Sequence, residues 1–395
     1  MLLGSALVDM YAKCGAIEKA QETFRQLRVR DVVSWTALID ANVRHGLGHE
    51  GLECFRNMQR EGIMPNYVTY VCTLKACALI GSLEMGEEIQ VEICRRGLLK
   101  KNGIVLGNAL IDMYAKLGAL EKARAVCDHL EDRDVVSWTI LIDGYVQNGL
   151  ANEALECFRK MEDEGVPPSE VSYICILKAC STLGSLEIGQ DIDAQIRKLG
   201  LFQKDPGLAN TLLHMYAKCG ALEKAQEVFV EIPFRDVVSW SALMAGYAQF
   251  GQAKVVMELT EKMRLEGILP DAVTFLVLLN ACSHSGLTEE GEKLFVEMCM
   301  VYHLLPSVEH YACMIDLFGR AGYFDRVQFF ASLKFTSDNL RLFLAILGAC
   351  QKWVNVTLGR WAFEKSIELD ENCGSAYICM ENIYAAAGIL KEREV

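Results

Sequence analysis

Cys72 and Cys77 stand five residues apart, as do Cys175 and Cys180, and His45 and His49 lie one helical turn apart. These residue types bind metals and carry nucleophilic chemistry. A closed zinc site needs four ligands and a catalytic one needs three; no third or fourth ligand lies near either cysteine pair. His45 and His49 lack the carboxylate partner of a zinc-protease helix. No C-x-x-C, phosphate-binding glycine loop or nucleophile triad stands out among the 16 cysteines and 7 histidines. The thiols recur at equivalent places, so they read as small apolar core residues of a chain kept reduced. No metal and no cofactor is expected. A second set of residues recurs at fixed spacing. Ser5, Asn108 and Asn210 each precede an aspartate (Asp31, Asp134 and Asp236) by 26 residues. Thr36, Thr139 and Ser241 precede Asn66, Ser169 and Asp271 by 30 residues. Such side chains bind by hydrogen bonds, and taken one at a time they also serve as helix caps and turn residues.

The elements that must position them repeat. MYAKCG at 10–15 returns as MYAKLG at 113–118 and MYAKCG at 215–220. RDVVSW at 30–35 returns at 133–138 and 235–240, and LKAC at 74–77 returns at 177–180 and as LNAC at 279–282. The period is 103 and then 102 residues, and self-similarity of this kind marks a repeat architecture. Each period divides into three units. The expected set is 1–31, 32–66, 67–103, 104–134, 135–169, 170–205, 206–236, 237–271, 272–307 and 308–339, followed by a tail over 340–395.

Each unit reads as a helical hairpin. Ala6, Leu7, Met10 and Tyr11 recur at one-turn spacing and predict one apolar face, with Gly15 ending that helix. Ile17, Ala20, Phe24 and Leu27 predict the inner face of its partner. In the next unit Ser34 is an expected N-cap, Leu38, Ile39 and Val43 face inward, Gly46 stops the helix, and Leu52, Phe55 and Met58 line the return. One short hairpin cannot bury its own apolar face, but stacked neighbours can. The expected fold is therefore all-α, a right-handed superhelical α-solenoid of helix-turn-helix repeats with a long groove. The composition agrees: 52% hydrophobic, 23% charged, and seven prolines with none after Pro306. The uncharged run from Ala272 to Thr288 is broken by Asn280, His284 and Gly286, too polar for a spanning helix. No targeting segment precedes the first repeat, and because Met1 opens directly into it, the chain reads as a possible piece of a longer one.

The alternating unit lengths, with GNALIDMYAK, RDVVSW and the LKAC…GSLE strings, resemble the pentatricopeptide repeat (PPR) family of plants. The match looks like the PLS subclass, giving the order S-P-L-S-P-L-S-P-L-S. VEHYACMIDLFGRAGYFD at 308–325 resembles its last S-type motif. LAILGAC at 344–350 and ELDENCGSAYICMENIYAAAG at 368–388 resemble paired E-type motifs, although 341–344 and 351–354 depart from the pattern.

The resemblance implies single-stranded RNA as partner, about one base per motif, and a specificity role in organellar cytidine-to-uridine editing, in mitochondrion or chloroplast. It implies that the fifth and last residues of P and S motifs read the base. An aspartate accepts from the imino N–H of guanine or uracil, whereas an asparagine amide donates to adenine. Ser5/Asp31 then implies G, Thr36/Asn66 A, Asn108/Asp134 and Asn210/Asp236 U, Thr139/Ser169 a purine and Ser241/Asp271 G. Val71, Ile174 and Leu276 in the L motifs and Ala312 in the last motif cannot bond a base edge. The implied target is 5′-GANURNUGNN. Val33, Val68, Val136, Val171, Val238 and Val273 hold the second place, where the family packs against base faces; a core valine is the other reading.

Lys13, Arg44, Lys116 and Lys218, with Lys75 and Lys178 in the L motifs, form a row that suits phosphate contact or a solvated helix end. That row matters because the net charge of −13 argues against non-specific nucleic-acid binding. The zinc deaminase signature, H-x-E with P-C-x-x-C, does not occur in the sequence. The chain is expected not to be an enzyme. A deaminase-bearing or other editing-complex protein would act through the E-type segment, or a missing C-terminus would supply the chemistry. The competing readings are a protein-binding scaffold like tetratricopeptide repeats, and RNA processing or stability without editing.

Overall fold

A computed structural model describes residues 2–332 and 340–389. Among them are twenty-three α-helices and no strand. They fall into two compact units, 1–201 and 202–395. The first holds six hairpins: α1/α2 (Leu2–Lys13, Ile17–Gln26), α3/α4 (Val32–Arg44, Gly48–Arg60), α5/α6 (Tyr67–Ile80, Leu83–Arg95), α7/α8 (Leu98–Lys116, Leu120–Asp128), α9/α10 (Val135–Gln147, Ala151–Asp163) and α11/α12 (Glu170–Leu183, Leu186–Lys198). The second holds α13/α14 (Pro206–Lys218, Leu222–Glu231), α15/α16 (Val237–Gln249, Ala253–Leu265), α17/α18 (Ala272–Ser285, Thr288–Met300), α19/α20 (Val308–Ala321, Phe324–Ser332), α21/α22 (Leu340–Trp353, Val356–Leu369) and α23 (Gly374–Ala386).

Within each unit the odd-numbered helices pack side by side, α1 on α3 through to α11 and α13 on α15 through to α23. The even-numbered helices form a second layer over them. Each unit is thus a solenoid whose core runs continuously between hairpins. Close approach in the first layer uses small residues. A Cβ on Gly144 of α9 would stand 2.6 Å from the Ala115 Cβ of α7, and one on Gly246 would stand 2.7 Å from Ala217. Between the layers, Phe24 and Trp35 meet edge-on at 4.5 Å, as do Phe229 and Trp240 at 4.7 Å.

Helix ends follow local chemistry. Gly15 and Gly46 take the left-handed conformation just past α1 and α3 (φ 76° and 77°), where a Cβ would be strained. Ser34 is not the N-cap of α3. Asp31 is, accepting the Ser34 N–H at 2.8 Å, while Ser34 sits buried inside the first turn and its Oγ accepts the Asp31 N–H at 3.0 Å. A carboxylate three residues earlier, in extended backbone, outcompetes a hydroxyl already within helical geometry.

Two further expectations change. On α1 the face of Ala6, Leu7 and Met10 is exposed, Tyr11 is half-buried, and Val8 and Ala12 are buried instead. The matching Leu110, Met113 and Tyr114 of α7 are buried, because α5 and α6 pack on that face. Burial there comes from the preceding hairpin, which α1 does not have among the described residues. Second, α7 begins at Leu98 and runs through the expected boundary at 103/104. The equivalent α13 starts later because Asp205 caps it and Pro206 stands in its first turn; residues 98–104 hold neither an aspartate nor a proline. Among the described residues no helix is long and apolar enough to cross a membrane. Residues 333–339, the end of the tenth expected unit, and 390–395 lie outside the described residues.

Candidate nucleic-acid interface

The second, fifth, ninth and thirteenth residues of an odd-numbered helix fall on one face by helical periodicity. On α3 these are Val33, Thr36, Asp40 and Arg44. The six valines at the second place, Val33, Val68, Val136, Val171, Val238 and Val273, are all exposed, by 38 to 57%. Each stands one turn before the fifth residue of its helix.

The residues at the motif ends are the N-caps of the helices that follow. Asp31, Asn66, Asp134, Ser169, Asp236 and Asp271 each accept the N–H of the third helical residue, at 2.8 to 3.2 Å. The residues expected to read bases are thus also helix caps. In all four aspartates the hydrogen bonds of defined geometry fall on Oδ1, leaving Oδ2 as an acceptor. Burial pushes the Asp31 carboxyl up. Bonds from the Ser34 backbone and side chain and from Ser5 outweigh it and hold the group below the usual carboxylate range. The same balance holds Asp134 down, with Ser137 and Asn108 as the donors.

The fifth residues come in two arrangements. Ser5 Oγ donates to Asp31 Oδ1 at 3.1 Å, and Asn210 Nδ2 reaches Asp236 Oδ1 at 3.5 Å. Asn108 stands near enough to Asp134 to help hold its pKa down. The Asn108 and Asn210 Oδ1 atoms are buried and have no hydrogen-bond partner among the described residues. Thr36, Thr139 and Ser241 meet instead a hydroxyl of the next odd helix: Thr69 at 2.7 Å, Ser172 at 2.7 Å and Thr274 at 3.0 Å. These three hydroxyls went unnoticed in the sequence. Their signal was a Ser or Thr three residues after each cap, which is the capping-box spacing. Val71, Ile174 and Leu276 are half-buried, as is Ala312.

The cationic row is uneven. Lys13, Arg44 and Lys116 are paired with the aspartate one turn earlier, Asp9, Asp40 and Asp112, at 2.8, 2.6 and 2.8 Å. Lys75, Lys178 and Lys218 are exposed and have no ion-pair partner among the described residues. Beside Lys218 stands His214, whose pKa is pushed down by burial and then by that lysine. Cys72, Cys77, Cys175 and Cys180 are buried, and burial pushes each of Cys72, Cys77 and Cys175 up to about 12.

Comparison with known proteins follows this geometry closely. The PPR repeat family matches residues 30–78, 133–182 and 235–284, and the PPR repeat matches 5–32, 108–135, 209–237 and 273–300. A pentatricopeptide repeat-containing protein of Arabidopsis thaliana is 37% identical over 392 residues, 99% of this chain and 54% of the relative. An Arabidopsis relative named as mitochondrial is 36% identical over 395 residues, 98% of this chain and 61% of its own length. The chloroplastic protein CRR2 is 35% identical over 396 residues, 99% of this chain and 60% of its own. The chain thus spans little more than half the length of these relatives. The crystal structure of the pentatricopeptide repeat protein PPR10 from maize shares the fold at a TM-score of 0.54 and 18% identity, covering 98% of this chain and 66% of that one. The stacked hairpins, the capped helix starts and these matches lead to one conclusion: the chain belongs to the pentatricopeptide repeat family.

Proposed function

We propose that this chain binds single-stranded RNA in a sequence-specific way and acts as a specificity factor for cytidine-to-uridine editing in a mitochondrion or chloroplast. The observation that carries the reading is the pair of orphan amide oxygens. A buried acceptor without a donor is costly, and Asn108 and Asn210 each hold one beside an aspartate. On base binding the side-chain amide turns out of this position, and the aspartate beside it accepts the uracil imino N–H. The motifs follow the S-P-L order over 1–339, and the pairs Ser5/Asp31 to Ser241/Asp271 read 5′-GANURNUGNN parallel to the chain. The exposed valines pack against base faces. Lys75, Lys178 and Lys218 are the cations best placed to neutralise phosphates, because no aspartate pairs with them among the described residues. The helices α21 to α23 form the E-type segment, which docks a deaminase-bearing or other editing-complex protein. The chain itself carries out no chemistry in this reading.

The test is RNA binding by the purified chain at fixed moderate salt. A ten-nucleotide strand matching GANURNUGNN is expected to bind better than one with U and A exchanged at the read positions. Asn108→Thr is expected to move the fourth base from U toward G. Equal binding of both strands overturns the reading and leaves a protein scaffold of the tetratricopeptide kind.

A further inference from the structure

In the S motifs Ser5 and Asn210 reach the aspartate at their own motif end. In the P motifs the fifth residue does not: among the described residues no hydrogen bond joins Thr36 to Asn66, Thr139 to Ser169 or Ser241 to Asp271. A third residue stands between them. Thr69, Ser172 and Thr274 are fully buried. Each touches the fifth-residue hydroxyl on one side and the cap on the other, at 3.0 Å to Asn66 Oδ1, 2.9 Å to Ser169 Oγ and 2.9 Å to Asp271 Oδ1. All three belong to the L motifs, whose own fifth residues are Val71, Ile174 and Leu276.

We propose that Thr69, Ser172 and Thr274 are positioning residues for the base sites of the preceding P motifs, relaying the character of the cap to the hydroxyl that meets the base. This rests on the base-reading assignment above. The argument is a proton count. Each hydroxyl has one proton and can accept two hydrogen bonds. Asp271 is a carboxylate, the stronger acceptor, and it claims the Thr274 proton. Ser241 then turns its proton toward Thr274 and presents lone pairs outward, which suits a base that donates, as guanine does. At Thr36 the cap is a neutral amide, a weaker acceptor that Thr69 Oγ1 meets at 3.0 Å, so the Thr69 proton is more readily turned toward Thr36 Oγ1. Thr36 then has its own proton for the Val32 carbonyl, at 2.6 Å, or for a base acceptor such as adenine offers. Thr139 repeats this arrangement beside the hydroxyl cap Ser169, with the Val135 carbonyl at 2.6 Å. The L motif, mute at its own fifth place, thus completes the site of its neighbour.

The experiment uses the full chain and ten-nucleotide RNAs with A or G at the second position, together with U or A at the fourth. The variants are Thr69→Val, Thr69→Ser and Asn66→Asp, each also followed by thermal melting. Wild type is expected to prefer A, and Asn66→Asp to turn the preference toward G. Thr69→Val removes the hydroxyl at nearly constant volume. It is expected to reduce the A-to-G preference about fivefold, the effect of one directed hydrogen bond, and to blunt the shift caused by Asn66→Asp. The U-to-A preference at the fourth base stays unchanged, and Thr69→Ser behaves as wild type. If Thr69→Val keeps its A-to-G preference while Asn66→Asp shifts it, the relay is wrong. A uniform loss at every read base with a lower melting temperature makes the residue structural only, and is equally fatal. No shift with Asn66→Asp means that base reading itself fails, and the relay with it. Should Thr69→Val not fold, Ser172→Ala, scored as loss of purine-over-pyrimidine choice at the fifth base, decides the matter.

Discussion

Arg133 grips Glu164 through two nitrogens, Nε at 3.1 Å and Nη2 at 2.6 Å, while its guanidinium carbon lies 5.5 Å from the Trp138 ring centroid. The two residues are 31 apart and belong to successive loops between hairpins, next to the cap Asp134. Arg30 with Glu61 and Arg235 with Glu266 repeat the pairing through one nitrogen each. The planar fork of arginine suits this use, and lysine does not reproduce it. Arg133→Lys is expected to lower stability by about 1 kcal/mol. In a double-mutant cycle with Glu164→Ala, measured by denaturant unfolding, a coupling near zero would reject the latch.

Asp134 is held below the usual carboxylate range, so its contribution to stability has a defined sign. A group with a depressed folded pKa stabilises fully above its unfolded value, here 3.8, and loses that stabilisation as pH falls through the lower folded value. Asp134→Ala is expected to cost about 1 kcal/mol near neutral pH, as loss of a cap does. The gap between variant and wild type should close only on acidification below 3.8. Melting curves across that range check it; a gap already closed well above that value contradicts the assignment.

Gly144 marks a close approach of α7 and α9. Adding a methyl there meets Ala115, whose backbone lies within the packed layer. Gly144→Ala is therefore expected to destabilise by about 1 to 3 kcal/mol, although alanine has the better helix propensity. Thermal melting gives the sign, and stabilisation would disprove the close contact.

Unpaired and paired cations should differ in salt dependence. Each phosphate contact on a single strand adds about 0.7 to the slope of log affinity against log salt. Lys75→Gln and Lys178→Gln are expected to lower the slope by about that much each, without changing base preference. Lys13→Gln and Lys116→Gln should do less, since Asp9 and Asp112 already neutralise those lysines. Equal slopes for all four variants would show that the pairing does not matter.

Buried thiols should resist alkylation in the native state. Cys14 and Cys94 are exposed, whereas Cys77 and Cys175 are buried with pKa values pushed up to about 12. Mass spectrometry after brief iodoacetamide treatment at mildly alkaline pH should find label on the first two and not the last two.

The hairpins were legible because their signals are local. Gly15 and Gly46 stop helices by a backbone requirement of their own, and Leu38, Phe55 and Met58 announce a buried face by spacing alone. Repetition at 103 and 102 residues made the stacking legible too, since one face cannot be covered otherwise. The pairing of Ser5 with Asp31 was readable as a recurring interval, although its meaning came from resemblance. Tertiary structure decided the rest, because it depends on which atoms meet across helices. Leu7 and Leu110 occupy the same repeat position, yet one is exposed and the other buried by the hairpin before it. Lys13 and Lys75 look alike in a row of cations, yet among the described residues only Lys13 is paired with an aspartate. Thr69 reads as a capping residue of α5, and only the packing of α3 against α5 brings its hydroxyl to Thr36. Spacing along one chain specifies a face; the partner across that face is set by three-dimensional proximity, which no interval in the sequence encodes.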